Sequence, residues 1–217
     1  MAARSVLLRA AVPLLALALL AGCGIHVPDG VTRHIDAAAS HESFTYCYGH
    51  GCGDSATVRL TESQWAQIAA LFAEQAADPA EERRRIALAV AALETMAGAQ
   101  AGTGGDLGGT GGGWFRRGQL DCYDEAINTS NFVAMMQNDG LLHFHRLSNP
   151  LQHGIVAGWS WPHATAVIAE IAGPSTGLER SVRYAVDSWF HDNGVPPEVV
   201  AATAWKAGWQ PTLAHGR

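Results

Sequence analysis

Nine of the sixteen residues from Gly98 to Gly113 are glycine. A stretch with so few side chains and so much backbone freedom cannot form a packed helix or strand. It therefore reads as a loop, lid or linker, that divides two differently patterned parts of the chain. Before it, apolar residues recur at helical spacing. Thr61 and Gln64 form a capping box, opening a helix with Trp65, Ile68, Ala69 and Phe72 on one stripe. Asp78 followed by Pro79 and Glu81 starts a second helix, with Ile86, Ala89, Val90, Leu93 and Ala97 on one face and a stop expected at Gly98. After the glycine run, a third helix is expected from Asp121 to about Asn138, ended by Gly140. Residues 141–147, 163–171 and 181–189 then read as strands. Helices followed by strands predict an α+β domain with an antiparallel sheet. Trp205 and Trp209 predict a short closing helix packed on that domain.

The chain is 217 residues long, 48% hydrophobic and 16% charged, enough apolar residue for one core and too little charge for a disordered chain. Its net charge of −6 argues against nucleic-acid binding, which needs clustered Lys and Arg. Arg4 and Arg9 precede an apolar run over 10–21, too short to span a bilayer and fitting the core of a signal peptide. That run ends Leu20-Ala21-Gly22-Cys23, which resembles the lipobox of bacterial lipoproteins. The resemblance implies removal of residues 1–22, acylation of Cys23, and attachment to a membrane through the N-terminal lipid. Gly24 in place of Asp favours the outer membrane, facing the periplasm. Residues 23–42 then read as a tether, and 43–217 as a single domain.

An oxidising compartment decides how the other cysteines are read. Cys47 and Cys52 flank Tyr48-Gly49-His50-Gly51, and a short-loop disulfide is expected. A metal site built from Cys47, His50 and Cys52 would lack a local fourth ligand. Either reading leaves Cys122 as a thiol to be explained.

Cys122 stands at the expected start of the third helix, with Asp121 as N-cap. Unpaired N–H groups and the positive end of the helix dipole there favour a thiolate and suit an oxyanion. The turn signal Gly173-Pro174-Ser175-Thr176-Gly177 centres a hairpin on residue 175, which sets His163 directly opposite Asp187 on one face. A thiol, an imidazole and a carboxylate are thus all accounted for.

Cys122 in Asp-Cys-Tyr-Asp-Glu-Ala, His163 in Trp-Pro-His-Ala and Asp187 in Val-Asp-Ser-Trp resemble the transglutaminase-like superfamily, across roughly residues 81–190. The resemblance implies a papain-like α+β core and thiol-dependent acyl transfer without a cofactor. It implies Cys122 as nucleophile, His163 as general base and acid, Asp187 as orienter, and Gln119 as a side-chain oxyanion donor. The substrate would be an amide from a protein, a peptide or peptidoglycan. Two alternatives stand beside it. One is a non-catalytic envelope lipoprotein that binds a protein or peptidoglycan partner. The other is a zinc hydrolase using His143 and His145 on one side of a strand, joined by His153, His163 or Asp187. Asp192 is a second candidate for the orienting acid, and Trp159, Trp161 and Trp189 could wall a groove.

Overall fold

The computed structural model describes residues 30–109, 116–155, 160–171 and 182–212. The signal-peptide and lipidation readings at 1–23, Trp159 and the turn at 173–177 lie outside them. The described chain is α+β. A two-stranded antiparallel sheet, β1 (Phe44–Tyr48) and β2 (Asp54–Val58), precedes helices α1 (Glu62–Ala70), α2 (Pro79–Ala101) and α3 (Cys122–Asn138). Four antiparallel strands follow in the order β3 (His145–Ile155), β4 (Ser160–Glu170), β5 (Arg183–Asp187) and β6 (Glu198–Ala201), then the short α4 (Ala202–Lys206).

Helix α3 is the axis of the fold. It packs against β1 on one side and the larger sheet on the other, so almost every residue from Cys122 to Met136 is buried. Phe132, Val133, Met135 and Met136 join the main core with Ile68, Ile86, Val90, Leu93 and Ile168. A helix buried all round must also satisfy its polar residues inside. Asn128 does so by accepting from the Cys47 N–H at 2.7 Å and donating to the Cys47 carbonyl at 2.8 Å. Asn131 accepts from Asp36 N–H at 2.8 Å and donates to the Thr45 carbonyl.

Several boundaries differ from expectation. The tether reading ends by residue 30: Val31 and Ala39 are buried, and a 3-10 turn at Thr32–His34 joins the domain. Gly98 does not stop α2, which runs to Ala101 and is capped by Gly102 at φ +78°. Gly98 serves packing, since a Cβ there would stand 2.9 Å from Asn193 Oδ1 and 3.1 Å from Gly104 N. The strand expected over 141–147 begins only at His145, because Glu82 of α2 accepts the backbone N–H groups of His143, Phe144 and His145. It then continues to Ile155, with its register shifting between Ser148 and Leu151, where Pro150 can sit without breaking a ladder bond. Helix α4 is shorter than the Trp205–Trp209 spacing suggested; Trp205 is buried on it and Trp209 lies beyond it.

Candidate functional site

Three elements converge on one end of the large sheet: the N-terminus of α3, the start of β4 and the end of β5. The observed β4–β5 register sets Ala166 opposite Val186, two residues from the expected pairing. An offset of two keeps the face, so His163 and Asp187 are diagonal rather than opposed and still meet. His163 Nε2 and Asp187 Oδ2 are 2.8 Å apart, with both residues buried. Asp192, the alternative acid, instead accepts from Gly108 N–H at 3.0 Å.

Asp187 has a second donor that sequence reading treated only as core. The Trp205 indole N–H reaches the same Oδ2 at 2.5 Å. The His163 ring is boxed by aromatic neighbours: Trp189 at 4.8 Å, Phe190 at 5.3 Å, Trp205 at 5.4 Å and His153 at 5.6 Å between centroids. His153 faces His163 across β3 and β4. Burial and the nearby His163 push its pKa down, favouring a neutral ring. No periodicity signalled the Trp205 contact, because it joins an acid and an indole from separate elements.

Cys122 is the first residue of α3, as expected, and only 8% exposed. Its sulfur lies 3.8 Å from the Pro162 carbonyl and accepts a hydrogen bond from the Ala164 N–H. The sulfur therefore sits against the backbone on either side of His163. The thiolate expectation does not hold for the resting site. Burial pushes the Cys122 thiol up to about 12, and the charges of Asp121 and Asp187 add to the effect against the Ala164 and Cys122 N–H groups. A helix terminus offers too little to offset that desolvation.

The same N-terminus is already capped. Asp121 accepts from Tyr123 and Asp124 N–H, and Asp124 returns a bond from the Asp121 N–H. Of the N–H groups expected to receive an oxyanion, those of Tyr123 and Asp124 are thus spent within the cap, and that of Cys122 acts on its own sulfur. Gln119 does not point its amide to that position: its Nε2 donates to the Gly105 carbonyl and its Oε1 accepts from Leu107 N–H, which fixes the start of the glycine-rich loop. Farther along that loop, Gly108 comes so close to Phe190 and His191 that a Cβ there would collide with the Phe190 carbonyl oxygen. The loop is therefore docked beside the aromatic box where it is described.

Cys47 and Cys52 form a disulfide, as expected. Residues 49–52 all have φ between 60° and 78°, including His50 and Cys52, and the N–H groups of His50 and Cys52 both point at the Asp124 carboxylate, at 2.8 and 2.7 Å. The hairpin tip thus grips the first turn of the cysteine helix. The metal reading of this loop does not survive: the sulfurs are bonded to each other, and the nearest imidazole to complete a ligand set is that of His34 rather than His50. The His143–His145 zinc reading also fails. His143 is exposed ahead of the strand, whereas His145 is buried with Nδ1 2.9 Å from Glu82 Oε1 and Nε2 3.3 Å from Arg83. That ring is a structural link between α2 and β3. Trp161 lies on β4, and Trp189 packs on the His163 ring as described. Compared with family models, curated proteins and solved structures, this chain finds no match.

Proposed function

We propose that the protein carries out thiol-dependent acyl transfer on an amide, in the manner of the transglutaminase-like superfamily, with Cys122, His163 and Asp187 as its working residues. The observation that carries this reading is the 2.8 Å His163–Asp187 pair, with the Cys122 sulfur against the Pro162 and Ala164 backbone that flanks His163, although no hydrogen bond joins that sulfur to the His163 ring. With Nε2 engaged by Asp187, Nδ1 is the ring nitrogen left to exchange a proton with sulfur or substrate. Because the thiol rests protonated, attack and proton transfer go together: the Cys122 Sγ–carbon bond forms as its proton passes to His163. Asp187, itself fixed by the Trp205 indole, steadies the resulting imidazolium. The developing oxyanion would draw the Cys122 N–H away from the sulfur once that sulfur is bonded to carbon. His163 then protonates the leaving amine, and water or a second amine cleaves the thioester, returning the thiol.

The lipobox-like sequence Leu20-Ala21-Gly22-Cys23 after an apolar run supports a lipid-anchored location in the cell envelope, where protein, peptide or peptidoglycan amides would be the substrates. Alkylation by iodoacetamide tests the site. Trypsin releases Cys122 in the peptide 118–146, free of the other cysteines, so its modification is read by mass. Near a pH of about 7, His163→Ala is expected to slow Cys122 alkylation by about a hundredfold, and Asp187→Asn by about tenfold. A His163→Ala rate equal to that of the parent protein would sink the reading and favour a non-catalytic binding role.

A further inference from the structure

Among the described residues, Glu94, Asp106, Asp124 and Glu125 form a group of buried acids, the last two shortly after Cys122 in the chain. Glu125 is three residues after Cys122 on α3, and Ser188 follows Asp187 at the end of β5. Ser188 Oγ donates to Glu125 Oε2 at 2.9 Å and lies 3.2 Å from Thr129 Oγ1. Ser188 also hydrogen-bonds Glu94 of α2. Glu94 Oε2 accepts from Gly194 N–H at 3.1 Å, whereas its Oε1 is buried with no hydrogen-bond partner. Glu94, Glu125, Thr129 and Ser188 are each at most 6% exposed. Burial acts most strongly on Glu125, followed by the charges of Glu94 from α2 and Asp106 from the loop after it; the Ser188 hydrogen bond opposes them, and Asp124 of α3 adds less. The Tyr46 hydroxyl of β1 feels Glu125, Glu94 and Asp106.

We propose that Glu125 is a positioning residue for the acyl-transfer site: through Ser188 it holds the helix bearing Cys122 in register with the strand bearing Asp187. The inference rests on the functional reading above. Ser188 has a single hydroxyl proton and gives it to Glu125 Oε2, so this bond ties the first turn of α3 to the end of β5. Burial, followed by the charges of Glu94 and Asp106, raises the Glu125 pKa well above the usual carboxyl range, against the Ser188 bond. Hydrogen bonds between buried groups are stronger and costly to leave unmade, which is what a strut between a helix and a strand requires. The Glu125 carboxyl is hydrogen-bonded to Ser188 and not to the sulfur or the imidazole, so its effect on the reaction passes through the relative placement of Cys122 and Asp187.

Alkylation of Cys122, followed in the 118–146 peptide, tests this with four variants. Ser188→Ala and Glu125→Ala are expected to slow modification by about tenfold, the scale on which small misplacements act. Glu125→Gln, which keeps a donor and an acceptor without a charge, is expected to stay within about twofold of the parent. His163→Ala is the control for the reading beneath. Should Ser188→Ala react at the parent rate while His163→Ala is slow, the strut is refuted and the triad stands. Should Glu125→Gln fold and prove as slow as Glu125→Ala, an acceptor for the Ser188 hydroxyl does not suffice and the strut is refuted. A His163→Ala rate equal to the parent's removes both. If Glu125→Ala does not fold, Ser188→Ala and Glu125→Gln decide the matter alone.

Discussion

Asp187 is asked to do two things with one oxygen, since Oδ2 receives both His163 and the Trp205 indole. The indole fixes where the carboxylate lies, and the carboxylate fixes the ring. Trp205→Phe keeps the aromatic packing and removes only that donor. A hydrogen bond to a charged group is worth roughly 1.5–3 kcal/mol. Part of that loss should appear as about tenfold slower Cys122 alkylation near a pH of about 7, with the far-UV spectrum unchanged. Of these four residues, three were legible from local pattern. Cys122 stood at a helix start, and His163 and Asp187 flanked a turn at matching distances; even a register wrong by two residues kept them on one face. Trp205 was not legible, because its hydrogen bond depends on where a separate helix docks. Nor was the protonation of Cys122, because burial comes from the surrounding fold and the local sequence carries only the helix terminus that opposes it.

Helix α3 depends on its first turn, where Asp124 serves twice. It completes the capping box with Asp121 and accepts the N–H groups of His50 and Cys52 from the disulfide loop. Asp124→Ala strands those donors, and a loss of about 2–4 kcal/mol in urea unfolding is expected. Gly98 makes a second test at this scale. In an exposed helix Gly→Ala stabilises by roughly 1 kcal/mol, but a Cβ here would press on the Gly104 backbone and Asn193. Gly98→Ala is therefore expected to lower the melting temperature, and a rise would show that the α2–loop contact gives way easily. The helices themselves were readable because caps and apolar stripes are local. The hairpin β1–β2 and strand β6 were not anticipated. Their stabilisation comes from α3 and from neighbouring strands, and β6 has only four residues in which to show a period. Glycine at 98 misled for a related reason: a helix stop and a close helix–loop contact ask for the same residue.

Across the whole molecule, buried acids set the response to pH. Burial pushes Glu94 up to about 7, partly opposed by the Gly194 N–H and Ser188 bonds; it does the same to Asp106 and, with help from Asp121, to Asp124. Each binds its proton more tightly folded than unfolded, so the associated stability is complete below the ordinary carboxyl range and is lost as pH rises towards about 7. Glu82 runs the other way. Its burial is outweighed by hydrogen bonds from His145, His143 and Phe144, which hold its pKa down, so its contribution fades on acidification. The melting temperature should therefore peak in mildly acidic buffer and fall between a pH of about 5 and about 8. Glu94→Gln should raise it at the upper end and not at the lower, and calorimetry at both ends checks the sign. The chain order of the site has a further consequence. Cys122 is synthesised first and the Trp205 indole that holds Asp187 last, 83 residues later. Under the function proposed above, a partly synthesised chain would carry a sulfhydryl without its finished partners, and full reactivity would come once α4 docks.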